Sequence, residues 1–134
     1  MSMGEHTGTH VDAFNHFDPN PNAQSIDQMA LENFYTDGIC LDLSHKPLKS
    51  NISIEDLEKA LSKDNLEIRP KDTVLLYMAH HDRTYGTDKF LTDFPGLTKE
   101  SAEWLGNKAI TSFGVEAVQV AFRCTSKYQV TCSG

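Results

Sequence analysis

Thr73-Val74-Leu75-Leu76-Tyr77-Met78-Ala79 is a nearly unbroken apolar run entered from the turn-forming stretch Ile68-Arg69-Pro70-Lys71-Asp72. Its length suits a strand, and the lack of apolar/polar alternation predicts burial on both faces, as in the interior of a parallel sheet. Toward the N-terminus, Ser53 is placed to cap a helix that carries Glu55 and Asp56 in its first turn. Ile54, Leu57, Ala60 and Leu61 fall on one face of that helix, which should run to about Lys63. Before it, Gly38-Ile39-Cys40-Leu41-Asp42-Leu43 alternates Ile39, Leu41 and Leu43 against Cys40 and Asp42, the pattern of a strand, and His45 with Lys46-Pro47 forms the loop between. Strand, helix and strand in this order make a βαβ unit with a right-handed crossover. The expected class is therefore α/β, a partly parallel sheet with flanking helices.

Beyond the central run, His80-His81-Asp82-Arg83-Thr84-Tyr85-Gly86-Thr87-Asp88 reads as a polar loop leaving the carboxyl end of a strand, where ligands gather in open α/β sheets. His80, His81 and Arg83 are either substrate contacts there or ordinary polar loop residues. Thr98 is the expected N-cap of a helix over Lys99 to Gly106 with Ala102, Trp104 and Leu105 apolar, and Ala109 to Val115 returns as a strand. On the other side, Asp18-Pro19-Asn20-Pro21-Asn22 is a turn-rich loop. Ile26, Met29, Ala30 and Phe34 suggest a short amphipathic helical turn that packs into the core. Cys40 is expected to be a small buried hydrophobe, since no charged neighbour activates it.

The chemistry is concentrated near the start. Gly4-Glu5-His6-Thr7-Gly8-Thr9-His10-Val11-Asp12-Ala13-Phe14-Asn15-His16 places three imidazoles and a carboxylate close together. Imidazole nitrogen and carboxylate oxygen are the usual donors for a borderline divalent ion, and a catalytic site commonly takes three of them. Thr9 to Asp12 is expected to be extended after a glycine turn, so His10 and Asp12 share a face and the bend at Gly8 brings His6 to the same point. His6, His10 and Asp12 are then the metal ligands, zinc or manganese fitting the donor set equally. His16 lies beyond them as the group that handles protons. The plainer alternative is a set of exposed loop histidines that clip a stray ion without catalysis.

The segment His6-Thr7-Gly8-Thr9-His10-Val11-Asp12-Ala13 followed by His16 resembles the signature of the metal-dependent cyclase family, which includes bacterial kynurenine formamidase and isatin hydrolase. A second match, Phe94-Pro95-Gly96-Leu97 followed by Glu103-Trp104-Leu105, is similar to the segment before a later sheet strand of that family. The resemblance implies a swivelling β/β/α fold, His6, His10 and Asp12 as ligands, His16 as acid/base, and hydrolysis of an amide or formamide bond. This chain carries Phe14 where the family usually has proline. Members of the family are longer on both sides, which implies a chain shortened at both ends. Residues 1–120 are expected to form an incomplete hydrolase domain and residues 121–134 a divergent tail, in which Cys124 and Cys132, without a second pair beside them, are a weak signal for a metal pair.

Composition narrows the partners. The 134 residues carry a formal net charge of −7 with 39% hydrophobic content, which suits one domain and disfavours nucleic acid or an anionic membrane as the main partner. No signal-peptide pattern or membrane-length apolar run is present, and three cysteines give no disulfide framework, so a cytoplasmic location is expected. The expected partners are a small-molecule amide substrate and further copies of the chain, paired through open sheet edges. An alternative function from another class is a catalytically incompetent fragment of the same family that serves only as a metal-binding or subunit-interaction module.

Overall fold

The computed structural model describes residues 2–4, 7–16 and 18–118. Among these residues five strands and three α-helices follow one another as β1 (Gly38–Asp42), β2 (Asn51–Ile52), α1 (Ile54–Lys63), β3 (Thr73–Tyr77), α2 (His80–Thr84), β4 (Gly96–Leu97), α3 (Lys99–Gly106) and β5 (Ser112–Val115). Strands β1, β3 and β5 form a three-stranded sheet in that order, and β2 pairs with β4 in a two-stranded one. All three pairings are parallel, with Leu41 opposite Leu76 and Leu76 opposite Val115. The α/β class and the β1-α1-β3 unit expected from the sequence are both present.

Local chemistry explains where α1 begins and ends. The Ser53 hydroxyl accepts from the Asp56 amide at 3.3 Å while the Ser53 amide donates to Asp56 Oδ2 at 2.8 Å, a reciprocal capping box. At the other end Asn65 adopts φ 52°, the Leu66 amide reaches back to the Leu61 carbonyl at 2.9 Å, and the Asn65 amide reaches the Ser62 carbonyl at 3.4 Å. This is the Schellman arrangement, with asparagine at the left-handed position. Leu57 and Ala60 are buried by the face α1 turns inward, and α1 touches both β1 and α3. Helix α3 starts where Thr98 caps the Ser101 amide at 3.1 Å, and the fully buried Ser101 hydroxyl donates to the Ile52 carbonyl at 2.7 Å, tying α3 to β2.

One core holds these elements together: Leu41, Leu43, Ile52, Leu57, Val74, Leu76, Met78, Leu97 and Leu105 are among its members. Burying such side chains contributes roughly 1.5–3 kcal/mol each. Among the described residues the core lies on one side of the three-stranded sheet, which corrects two expectations. Strand β3 is not buried on both faces, because Leu75 and Tyr77 remain 46% and 41% exposed while Val74 and Leu76 are covered. Cys40 is exposed rather than buried, because it faces the same way as Leu75, its partner across the β1–β3 pair. An apolar residue type tells which residues can be buried, while the helices decide which face is.

Two further expectations are corrected. Ile26 to Phe34 is no amphipathic turn packed into the core; it forms two separate 3-10 turns, Ile26–Gln28 and Leu31–Phe34, without a buried residue. The residues at 80–84 are a helix and not a loop. Its first turn is held by a carboxylate described below, a long-range contact that no local pattern announces. The tail expected at 121–134, with Cys124 and Cys132, lies outside the described residues.

Candidate functional site

The chain around the N-terminal histidines has irregular backbone rather than the expected strand. It nevertheless brings His10 and Asp12 together. Gly8 sits at φ 74°, in the left-handed region, and its carbonyl lies 2.7 Å from His10 Nδ1. A carbonyl oxygen only accepts, so a proton on Nδ1 is what this contact requires. The other ring nitrogen, Nε2, is 3.4 Å from Asp12 Oδ1, with the two side chains only 16% and 7% exposed. Either a proton on Nε2 or a cation between the two atoms accommodates this approach. Two donors each about 2.1 Å from a tetrahedral ion stand about 3.4 Å apart, so this pair fits one edge of such a site.

Among the described residues no group of three or more His, Cys, Asp or Glu side chains gathers as a metal site. His6, the third expected ligand, lies outside the described residues. His16 does not join His10 and Asp12 as a third donor; it ends an exposed 3-10 turn, Phe14–His16, with its amide donating to the Ala13 carbonyl at 3.0 Å. That turn forms with Phe14 in place of the proline usual in the family. Its closure comes from hydrogen bonds, including the Asp18 amide to the Phe14 carbonyl at 2.9 Å and the Asn15 amide to the Gln24 carbonyl at 3.1 Å.

At the carboxyl ends of the parallel strands a second polar cluster forms. Asp42 accepts from the Ser44 hydroxyl at 2.6 Å and from Lys63 Nζ at 2.9 Å. These donors, Lys63 foremost, hold its carboxyl well below the usual range. The Tyr77 hydroxyl donates to Asp82 Oδ2 at 3.2 Å, which together with the nearby charge pushes its ionisation upward. Glu116 just past β5 accepts the Met78 and His80 amides at 2.7 and 3.0 Å and the His81 amide at 3.4 Å. One carboxylate thereby bridges the end of β3 to the start of α2 and holds Ala79 at φ 50°. Sequence reading missed Glu116; the only signal is an acid placed directly after a strand end.

His80 is not a polar loop residue, since it begins α2. It is fully buried, stacked on Phe90 at 5.7 Å with Nε2 donating to the Phe90 carbonyl at 2.9 Å, and it acts as a core residue. Arg83 spends its guanidinium on the Lys46 and Met78 carbonyls at 3.0 and 2.7 Å, which makes it a tie between loops. His81 stays exposed, stacked on Tyr85 at 4.6 Å.

The described strands thus form an all-parallel α/β fold, with a paired imidazole and carboxylate on an N-terminal His-x-Asp segment. The sequence model of the Cyclase family, described as "Putative cyclase", matches residues 1–121, and the chain belongs to that family. No curated protein matches it. Among solved structures, isatin hydrolase A from Ralstonia solanacearum is 28% identical, with a TM-score of 0.79 over 95% of this chain and 54% of its own. Isatin hydrolase A from Labrenzia aggregata, bound to benzyl benzoate, is 26% identical with a TM-score of 0.78 over 95% and 53%. A structure described as a potential metal-dependent hydrolase with cyclase activity is 22% identical, with a TM-score of 0.69 over 94% and 55%, a likeness of fold. The chain thus spans about half the length of these proteins. No helix among the described residues is long and apolar enough to cross a membrane.

Proposed function

We propose that the chain acts as a metal-dependent hydrolase of an amide bond, its ion held by His10 Nε2 and Asp12 with His6 as the third ligand. The observation that carries this reading is the 3.4 Å approach of His10 Nε2 to Asp12 Oδ1 in a sheltered pair, with His10 Nδ1 2.7 Å from the Gly8 carbonyl. The separation matches a tetrahedral edge, which suits zinc, and manganese remains compatible with the mixed nitrogen and oxygen donors. When bound, such an ion supplies Lewis acidity at a carbonyl and lowers the pKa of water. His16 takes up the proton of the attacking water and returns one to the leaving amine.

Membership of the Cyclase family and the likeness to two isatin hydrolases support a cyclic amide such as isatin as the substrate class. An aryl formamide, the kynurenine formamidase type of substrate, is the second candidate for the same chemistry. Pairing of copies through the outer edges of the three-stranded sheet belongs to the same proposal, since β1 and β5 each have one described neighbour. The test is elemental analysis of the purified chain with zinc and manganese titrations, alongside isatin and aryl-formamide hydrolysis. Near-stoichiometric metal in the parent chain and its loss in His10→Ala and Asp12→Ala are expected. Unchanged occupancy in His10→Ala would sink the ligand assignment.

A further inference from the structure

Whether the His10–Asp12 pair can receive a cation depends on which ring nitrogen bears the proton, and the Gly8 carbonyl lies against one of the two. A free neutral imidazole samples both tautomers; only with the proton on Nδ1 does Nε2 offer a lone pair beside the carboxylate. The Gly8 carbonyl, 2.7 Å from Nδ1, can only accept there and so favours this tautomer. Its direction follows from the Gly8 backbone at φ 74°, a conformation that glycine adopts freely, asparagine tolerates and β-branched residues avoid. Space is not the reason for glycine here, because a Cβ built on Gly8 meets nothing within 4 Å. The requirement is one of backbone hand alone.

We infer that Gly8 is a positioning residue: its left-handed backbone aims its carbonyl at His10 Nδ1 and so turns His10 Nε2 toward Asp12. The purpose of this device rests on the metal-site reading, while its geometry stands without any ion. Groups that orient a ligating histidine from behind typically change metal affinity about 10–100-fold when removed. The conservation of hand, rather than size, gives a distinctive ordering of variants. Valine and asparagine have similar bulk, and both have room at this exposed turn, yet only asparagine accepts a positive φ.

The experiment uses the full chain as Gly8→Asn and Gly8→Val. The His10 tautomer is read by 15N NMR of the metal-free protein, and zinc affinity by calorimetry. In the parent chain and in Gly8→Asn the proton is expected on Nδ1, with zinc affinities within about threefold of each other. In Gly8→Val the tautomer should become mixed and zinc bind about 10–100-fold more weakly. A parent chain with the proton on Nε2 overturns the inference, as does a valine variant that keeps both tautomer and affinity. Equal losses in both variants overturn it too, because bulk rather than backbone hand would then matter. If the tautomer follows the expected order while none of the chains binds zinc, the metal-site reading fails and the hold of Gly8 on His10 stands.

Discussion

Neutralising Asp56 should remove a measurable, pH-dependent part of the stability of the fold. Asp56 Oδ2 accepts from Lys46 Nζ at 2.8 Å, from the Ser53 amide at 2.8 Å and from the Ser53 hydroxyl at 2.9 Å. Burial pushes its ionisation upward, but the three donors overcome that and lower the pKa from 3.8 to about 2. At 1.36 kcal/mol per pH unit the difference is worth roughly 2 kcal/mol. The side chain is 19% exposed, so screening trims the expectation to about 1–2 kcal/mol. The folded carboxyl binds a proton less readily than the unfolded one. The unfolded state is therefore protonated first as pH falls, and the contribution is complete above about pH 5, mostly lost by about pH 2 and gone by about pH 1. Urea unfolding of the parent chain and Asp56→Asn, followed by the fluorescence of the single tryptophan, Trp104, measures it directly. At pH 7 the variant should be less stable by about 1–2 kcal/mol, and the two curves should converge toward pH 2. Asp42, Asp93 and Glu100 are also held low, but they are present in both chains and cancel in the difference. A stability gap that stays constant from pH 7 to pH 2, or none at pH 7, refutes the reasoning.

His16→Ala should retain bound metal while amide hydrolysis falls by roughly two to four orders of magnitude; loss of metal in this variant would make His16 a ligand instead. Gly114→Ala tests the open face of the sheet, since its Cβ would approach Leu75 Cδ2 to 2.9 Å, at the far end of a side chain that is itself 46% exposed. Leu75 can swing aside, so stability by urea unfolding should change by less than about 1 kcal/mol, with the new side chain offsetting part of the cost by restricting the unfolded chain. A loss of more than about 3 kcal/mol would show that Leu75 is pinned and that the face is covered.

The sequence by itself determined what is local. The helix α1 start at Ser53, the cap of α3 at Thr98, the strands around Leu41 and Leu76 and the His-x-Asp spacing are all written in neighbouring residues, because capping and periodicity act over a few positions. The resemblance carried by His10, Asp12 and His16 led to the family that the chain belongs to. Only the tertiary structure decided which side of the sheet is covered, and so why Cys40 and Leu75 are exposed when their residue types favour burial. It also decided that His80 is a core residue and that Glu116 starts α2 from 36 positions away. The turn of the His10 ring likewise came from the structure, since the residue that fixes it acts through a backbone carbonyl and leaves no side-chain signature. Burial and long-range hydrogen bonds depend on which elements meet, and no local pattern of residue types encodes that meeting.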